Sequence, residues 1–313
     1  MVSTDPLPLI VFAGAATYDA ITVVDHFPGP NERQTAHAVR YAGGGPAATA
    51  AVAAARLGAP SAFVGTVGDD EEGERIAAGL RAEGVDISGL RVVAGQPSQA
   101  SVVVIDRARA TRAICTRAVA PLDPADHPRL LDRMAEGAWL HVDHRGWPAA
   151  RALLDRLPPG RRPGVSVDGG NPIERLRLRD VDLYVPTVES LAGRYGIQPV
   201  TDLLNAALAD GATTVVATRG ADGSVAARAG TPLVTAPGLS VEVVSTLGAG
   251  DVFHGALLAA WVRDLPLTEC LRYANVAAAL SCQGIDGRSA IPNDAEVRAT
   301  LLADRTDRPE EHA

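Results

Sequence analysis

The chain has 313 residues, of which 47% are hydrophobic and 21% are charged, and its formal net charge is −8. That apolar content supplies a full hydrophobic core and excludes an intrinsically disordered protein. An acidic chain whose arginines are scattered also argues against a nucleic-acid partner.

Apolar runs bounded by glycine or proline give the predicted elements. The N-terminal part predicts strands at 9–13, 20–24 and 35–41, helix 47–57, strand 61–65, helix 71–83 and a hairpin of strands 99–106 and 111–117. The C-terminal part predicts strands at 138–143, 164–168, 181–185 and 213–218, a hairpin turn at Gly223, and helices at 148–157, 201–209, 248–263 and 268–283. Residues 305–313 are charged and are expected to form a disordered tail.

The alternation of strands and helices predicts an α/β fold with a central, mostly parallel sheet and helices on both faces. The half-exposed strand segments near 16–42 and 98–118 do not fit that alternation. They predict a small β lid that stands off a single domain of residues 1–304.

The cysteine and lysine content limits the chemistry. The three cysteines are far apart, so neither a zinc site nor a disulfide framework is expected, and a cytoplasmic location fits. No apolar run is long enough to span a bilayer, so no membrane partner is expected. The sequence contains no lysine, and phosphate chemistry would therefore use backbone amides, arginine and a metal ion.

The segment 243–256 carries the strongest chemical pattern. Gly248, Ala249 and Gly250 lead directly into a predicted helix, whose first amides are unpaired and attract an anion. Asp251 follows in the first turn, where its carboxylate can take a proton from an alcohol while the amides stabilise a transferring phosphoryl group. A structural alternative stays open, in which Asp251 only complements the helix dipole.

Two further segments are rich in glycine. Residues 43–49 place consecutive glycines before a helix, which lets the backbone approach a ligand closely. Residues 216–223 place a glycine-spaced turn after a strand, where α/β sheets bind ligands. Each segment alone is also explained by an ordinary loop or hairpin turn.

Together and in this order, the three segments resemble those of the ribokinase-like (PfkB) carbohydrate kinase family. The sequence Gly-Ala-Gly-Asp at 248–251 matches one family signature, and residues 44–58 with 63–73 match the other. The resemblance extends from about residue 10 to about residue 292. It implies ATP-dependent phosphorylation of a primary alcohol on a small sugar, with ATP and Mg²⁺ as the bound groups.

The resemblance also implies roles for individual residues. Asp251 is similar to the catalytic base of the family, and the amides of Gly248, Ala249 and Gly250 resemble its anion hole. The implied substrate contacts are Asp19, Gly44, Gly45, Thr49, Asp143 and Arg145, and the implied nucleotide contacts are Thr218, Gly220, Gly223 and Asn275. A solvated loop arginine is an equal alternative for Arg145.

Three positions depart from the family pattern. Ser245 stands where many members have an aspartate that helps to hold a monovalent cation, which calls activation by potassium into question. Thr49 stands where an asparagine often contacts the sugar, which argues against plain ribose as the acceptor. Thr187 and Ser190 replace the asparagine and glutamate of a magnesium-organising motif. Glu189, one residue out of register, is a candidate metal ligand, with a helix N-terminal carboxylate as the favoured alternative.

Two other functions stay open at this point. They are a nucleoside kinase of the same family and a non-catalytic sugar-binding regulator. The family resemblance also implies a homodimer joined through the lid. Five other side chains are interpreted as packing or surface groups rather than as metal ligands or sugar contacts. They are His141, His144, His254, Trp147 and Cys282.

Overall fold

The computed structural model describes residues 6–307 except 110, 118, 120, 121, 123–127 and 159. In chain order, its strands are β1 (Ile10–Ala13), β2 (Thr17–Val24), β3 (Ala38–Gly44), β4 (Ser61–Gly68), β5 (Asp86–Val93), β6 (Ser101–Asp106), β7 (Thr111–Thr116), β8 (Trp139–Val142), β9 (Gly164–Asp168), β10 (Leu183–Val185), β11 (Thr214–Thr218), β12 (Ser224–Arg228) and β13 (Val234–Ala236). Its helices are α1 (Pro46–Arg56), α2 (Glu71–Ala82), α3 (Pro128–Ala135), α4 (Trp147–Arg156), α5 (Val188–Tyr195), α6 (Val200–Ala209), α7 (Ala249–Trp261), α8 (Leu267–Ser281) and α9 (Asp294–Asp307).

Nine of the described strands form a central sheet in the order β13-β12-β11-β10-β9-β8-β1-β4-β5. The strands from β11 to β5 pair in parallel, whereas β12 and β13 add an antiparallel edge. This arrangement confirms the predicted mostly parallel sheet. Because parallel strands point the same way, the carboxyl ends of β8 to β11 meet at one edge, where open α/β sheets bind their ligands.

Helices cover both faces of the central sheet, as predicted. One core cluster joins the sheet to α1, α2, α7 and α8, and the other joins it to α3, α4, α5 and α6. The alanine-rich α1 lies so close to α7 that a side chain at Gly255 would clash with the Ala50 carbonyl oxygen. This close packing fixes the position of α7 and, with it, the position of its N-terminus. None of the described helices is both long and apolar enough to cross a membrane.

A second, smaller sheet has the strand order β3-β2-β6-β7 and is formed by the two segments that the sequence assigns to a lid. It covers the main domain through an apolar cluster of Ile21, Val103 and Ile105, with Leu247 and Ile285 packed against it. A polar contact also joins the lid to the main domain, because Arg112 Nη1 in β7 donates a hydrogen bond of 2.9 Å to Thr246 Oγ1. The lid strands therefore touch the loop that precedes α7.

The sequence patterns do not predict β5, β13, α3, α5 or α9. Strand β5 lies at the sheet edge and is interrupted by Gly89, so it shows neither an apolar run nor strict alternation.

Helix α9 continues to Asp307, and residues 305–307 are therefore helical where the sequence predicts disorder. Ion pairs along the helix, such as Arg298 with Asp294, support a polar helix without apolar periodicity. Residues 308–313 of the predicted tail lie outside the described residues.

Asp143 follows β8 as a fully buried carboxylate that ties three segments together. Its Oδ2 accepts hydrogen bonds from the amides of Ala15 (2.8 Å) and Ala47 (3.2 Å). Its Oδ1 accepts hydrogen bonds from the amides of Arg145 (2.8 Å) and Gly146 (3.0 Å). These amides occupy the acceptor positions of a carboxylate. The Asp143 side chain thus fixes the loop after β1 and the start of α1, while its expected substrate contact stays a prediction.

Replacing Asp143 with alanine is expected to lower the free energy of unfolding by about 3 kcal/mol, because buried amides then lose their acceptor. Urea denaturation followed by circular dichroism measures this change. The control is Asp202→Ala, at an exposed position in the first turn of α6, with an expected cost below about 1 kcal/mol. Equal stability of D143A and the wild type would contradict the structural role.

Candidate active site

The N-terminus of α7 presents main-chain amides at the ligand-binding edge of the sheet. Gly248 precedes the helix with a φ of 77°, a left-handed conformation that favours glycine. A side chain at Gly248 would also lie 2.6 Å from the Cα of Gly287, so two loops meet here backbone to backbone. The amide of Ala249 donates to the Thr246 carbonyl oxygen at 3.3 Å, whereas those of Gly248 and Gly250 have no backbone partner within the described residues. These two amides are therefore available to an anion.

Asp251 lies half-buried in the first turn of α7. Burial raises the pKa of its carboxyl group to about 7, and repulsion from Asp168 and Asp143 adds to this rise. The positive charges of His254 and Arg288 oppose the rise in the pKa. A carboxylate of this basicity can accept a proton near neutral pH.

A buried ion pair lies one helical turn further along α7. His254 Nε2 is 3.1 Å from Asp168 Oδ1, and each side chain is 7% exposed. Burial favours the neutral ring of His254, but the Asp168 carboxylate outweighs burial and raises the pKa of His254 above its ordinary value. Burial likewise opposes the charge of Asp168, and the attraction of His254 holds the pKa of Asp168 well below its ordinary range. Each partner therefore favours the charged form of the other.

His141 in β8 continues this buried group. The centroid of its ring lies 5.1 Å from that of His254, and its Nδ1 is 3.0 Å from Ser166 Oγ. Burial and the positive charge of His254 lower the pKa of His141 to about 3, so His141 stays neutral. The sequence identifies these histidines as packing or surface groups, and both are buried. It gives no sign of the pairing between His254 and Asp168.

Asp19 and the glycines that follow Tyr41 come together at the base of the lid. Asp19 Oδ2 accepts a hydrogen bond of 2.8 Å from Thr17 Oγ1, while the buried Oδ1 has no partner in the described part of the chain. Burial raises the pKa of Asp19. A side chain at Gly44 would clash with the Asp19 carboxylate, and Gly45 adopts a φ of 90° against the Ala15 backbone. The site therefore offers an unused carboxylate oxygen beside bare backbone.

Arg288 completes this side of the site, although no sequence motif points to it. Its Nε donates to Thr49 Oγ1 at 3.2 Å, and its Nη2 donates to the Gly44 carbonyl oxygen at 2.7 Å. The residue is 8% exposed, and its guanidinium lies against Gly43, where any side chain would clash. Burial lowers the pKa of Arg288 to about 10, against the attraction of Asp19 and other carboxylates. In the sequence, Arg288 looks like any other loop arginine.

The residues expected to bind a nucleotide lie at the ends of β10 and β11. Thr218 ends β11, and its amide donates to the Pro186 carbonyl oxygen at 3.0 Å. Gly220 and Gly223 have φ values of 57° and 86° and shape the turn into β12. This turn lies at the same sheet edge as the end of β9, which carries Asp168.

Asn275 lies buried in α8, where its amide group is largely occupied. Its Nδ2 donates to the carbonyl oxygens of Ala236 and Pro237, both at 3.0 Å. Both amide hydrogens thus hold the loop after β13, which leaves only Oδ1 for a ligand. If Asn275 contacts the nucleotide as expected, it does so through Oδ1 as a hydrogen-bond acceptor.

Glu189 is exposed in the first turn of α5, as a helix N-terminal carboxylate. Thr187 caps this helix, because its Oγ1 accepts a hydrogen bond of 3.0 Å from the Ser190 amide. Among the described residues there is no group of three or more His, Cys, Asp or Glu side chains that could hold a metal ion. A kinase Mg²⁺ ion is held by one or two carboxylates together with substrate phosphates, so it needs no such group. The metal role of Glu189 stays a prediction.

Three further residues follow β8 or end α8. Arg145 is half-buried, and its Nη2 donates to the Val119 carbonyl oxygen at 2.7 Å, so its substrate contact stays a prediction. Trp147 and Cys282 are 1% and 8% exposed, which confirms that both are packing residues.

Known proteins resemble this chain in sequence and in fold. The chain is 29% identical over 305 residues to an ATP-dependent ribose-1-phosphate kinase of Halopiger xanaduensis, covering 95% of this chain and 99% of that protein. It is 26% identical to a ribokinase of Haemophilus influenzae, covering 90% of this chain and 95% of the relative. The crystal structure of a putative ribokinase from Agrobacterium tumefaciens superposes with a TM-score of 0.81 at 27% identity, covering 96% of this chain and 99% of that one.

The family model that matches the chain is described as pfkB family carbohydrate kinase, and it covers residues 7–162 and 165–294. That span includes both sheets apart from Gly164 at the start of β9, and it includes the loop before α7 and Arg288. The chain belongs to the pfkB family of carbohydrate kinases.

Proposed function

We propose that this protein transfers the γ-phosphoryl group of ATP to the hydroxymethyl group of a small sugar. The observation that carries the proposal is the Asp251 carboxyl group, whose pKa is raised to about 7 beside the free amides of Gly248 and Gly250. An alcohol is a weak nucleophile near neutral pH and needs such a base. Relatives named as ribokinase and ribose-1-phosphate kinase support an acceptor of pentose size.

In the proposed reaction, the acceptor oxygen attacks the γ-phosphorus in line with the departing ADP. As the new P–O bond forms, the hydroxyl proton passes to Asp251, and the bond from phosphorus to the β,γ-bridging oxygen breaks. The amides of Gly248 and Gly250 stabilise the negative charge of the phosphoryl oxygens. When bound together with ATP, Mg²⁺ would supply charge neutralisation at the phosphates, with Glu189 as the predicted protein ligand.

The lid base is proposed to hold the acceptor. Asp19 Oδ1 lacks a partner within the described structure, so it can accept a hydrogen bond from a sugar hydroxyl. Gly44 and Gly45 let the acceptor approach the backbone closely. The hydrogen bond between Arg112 and Thr246 holds the lid against the catalytic loop, and this helps to exclude water.

The apolar cluster of the lid supports a small acceptor over a nucleoside. Its buried members are Ile21, Val103 and Ile105, which offer no aromatic ring on which a nucleobase would stack.

Ser245 bears on activation by a monovalent cation, because its Oγ accepts a hydrogen bond of 3.1 Å from the Leu247 amide and carries no charge. We therefore expect a monovalent cation to have little effect on turnover.

On the nucleotide side, we propose that Thr218, Gly220 and Gly223 contact ATP through the turn between β11 and β12. Gly220 and Gly223 carry no side chain, so at these two positions the turn lets a ligand approach the backbone. The same turn lies at the carboxyl edge of the parallel strands, which is the usual ligand edge of this architecture.

Replacing Asp251 with asparagine is expected to lower kcat by about 10²–10⁴-fold, because the general base is lost while the shape of the site is kept. ADP release with ATP, Mg²⁺ and a panel of ribose, fructose and ribose 1-phosphate measures the effect, with and without potassium. Asp202→Asn on α6 is the matched control and is expected to keep wild-type turnover. Near-wild-type turnover of D251N would remove Asp251 from the mechanism.

The pH dependence follows from the groups around Asp251, which are Asp168, His254, Asp143 and Arg288. Asp251 accepts a proton only when it is ionised, so kcat/KM should rise with pH through a midpoint of about 7. His254→Asn removes a positive charge that lowers the Asp251 pKa, and the midpoint should therefore move upward by roughly one pH unit.

Stopped-assay pH profiles of the wild type and H254N test this shift. The control is His26→Asn, since His26 is exposed and pairs with Glu32 outside the site. An unchanged or lowered midpoint in H254N would contradict the electrostatic role of His254.

We also propose that two copies of the chain pair through the outer face of the lid. Val39, Tyr41 and Val102 are 57%, 66% and 54% exposed there. Strand alternation places them on the face opposite Asp19. A group of exposed apolar side chains on one face marks an interaction surface.

Tyr41→Glu is expected to convert a dimer into a monomer in sedimentation experiments, because a charge would be buried in the interface. The control is Ile197→Glu, at a fully exposed apolar residue of the main domain, which should leave the dimer intact. A monomeric wild type would refute the pairing.

A further inference from the structure

Arg288 is a buried cation for which the described residues provide no ion-pair partner. None of their salt bridges includes Arg288, and its attraction to Asp19 and Asp251 acts across the site rather than through contact. Its two hydrogen bonds go to neutral oxygens, those of Thr49 and Gly44. Neither hydrogen of Nη1 has a described partner. A buried guanidinium in this condition retains much of its capacity to bind an anion.

Another internal arginine of the same chain is held differently. Arg56 is also partly buried, but it forms a two-pronged ion pair with Glu83 through Nε (2.7 Å) and Nη2 (2.6 Å). That geometry satisfies the fork of a guanidinium within the protein. In Arg288 the same two nitrogens bond neutral oxygens instead. Its Nη1 has no partner among the described residues, so this nitrogen is open to an anion that a ligand brings.

The backbone around Arg288 holds it firmly in place. Asp286 Oδ1 accepts hydrogen bonds from the amides of Arg288 (2.8 Å) and Ser289 (2.7 Å), so this carboxylate turns toward the backbone. Gly287 lies against Gly248, which joins the Arg288 loop to the loop before α7. A preorganised charge of this kind costs little further ordering when a ligand binds.

The contacts of Arg288 place it on the acceptor side of the site. Its partners Gly44 and Thr49 belong to the segment between the lid and α1, and its guanidinium lies against Gly43. The turn expected to bind the nucleotide lies instead between β11 and β12. A ligand seated beside Asp19 would therefore meet Arg288 as well.

We propose that Arg288 binds an anionic group on the acceptor, so that the acceptor is a sugar phosphate or a sugar acid rather than a neutral sugar. The acceptor then presents hydroxyls to Asp19 and Asp251, and its phosphate or carboxylate to the guanidinium fork. The phosphoryl-transfer part of this inference rests on the proposed function, whereas the preference for anions in binding does not.

The first test measures binding without ATP by isothermal titration calorimetry. Two matched pairs differ in charge: ribose 1-phosphate against ribose, and ribonate against ribitol. The wild type is expected to bind the anionic member of at least one pair about 10- to 100-fold more tightly, as one charge-assisted contact provides. The first pair tests a phosphate and the second a carboxylate. Equal affinity within both pairs would overturn the proposal.

Three variants assign the preference to the guanidinium. Arg288→Gln should abolish the difference within the preferred pair, and Arg288→Lys should keep part of it, because the charge remains while the fork is lost. Arg81→Gln, at an exposed position on α2, is the matched control and should keep the full difference. A full preference in R288Q would overturn the proposal. If R288Q fails to fold, as judged by circular dichroism, R288K and the wild-type affinities decide.

Kinetic measurements separate this inference from the proposed function. With ATP present, the ratio of kcat/KM for the anionic acceptor over the neutral one should fall about 10- to 100-fold in R288Q. An increase in the KM for ATP with an unchanged ratio would show that Arg288 serves the nucleotide, and it would overturn the proposal. Tight anion binding without ADP release from any acceptor would refute the kinase function and leave the anion site in place.

Discussion

The chemistry of the site depends on how strongly its surroundings favour or oppose a negative charge on Asp251 at the start of α7. The helix dipole and free amides favour a negative charge there, whereas burial and two neighbouring carboxylates oppose it. Close packing of α7 on α1 holds the helix in this position through the contact of Gly255 with Ala50. The balance leaves a carboxylate that gains or loses a proton near neutral pH, which is the property that a base for an alcohol needs.

A balance of buried charges surrounds that carboxylate. His254 and Asp168 neutralise one another below it, and His141 stays neutral beside them. On the acceptor side, Asp19 and Arg288 carry opposite charges that do not touch. His254 and Asp168 satisfy each other within the protein and shift the pKa of Asp251. Arg288 lacks an ion-pair partner among the described residues, which is the reason to assign its missing contact to the acceptor.

The sequence predicts well the features that local patterns carry. Glycine and proline boundaries, strand alternation and the glycine-rich loop predict the mostly parallel sheet, the lid strands and the helix that begins at Ala249. Features that depend on distant contacts are not visible in the sequence. His254 meets Asp168 only because α7 crosses the end of β9, and Arg288 meets Thr49 only because the loop after α8 returns to α1. Asp143 is conspicuous in the sequence, yet its bonds to backbone amides become apparent only in the folded chain.

The central claim concerns the ionisation of one carboxyl group, and carbon-13 NMR tests it most directly. Protein with labelled aspartate would be titrated in the wild type and in D251N, so that the Asp251 carboxyl signal is assigned by its absence from the variant. The account predicts a midpoint at a pH of about 7. A midpoint near the ordinary aspartate value of 3.8 would contradict it, since the carboxylate would then be too weak a base for the proposed proton transfer.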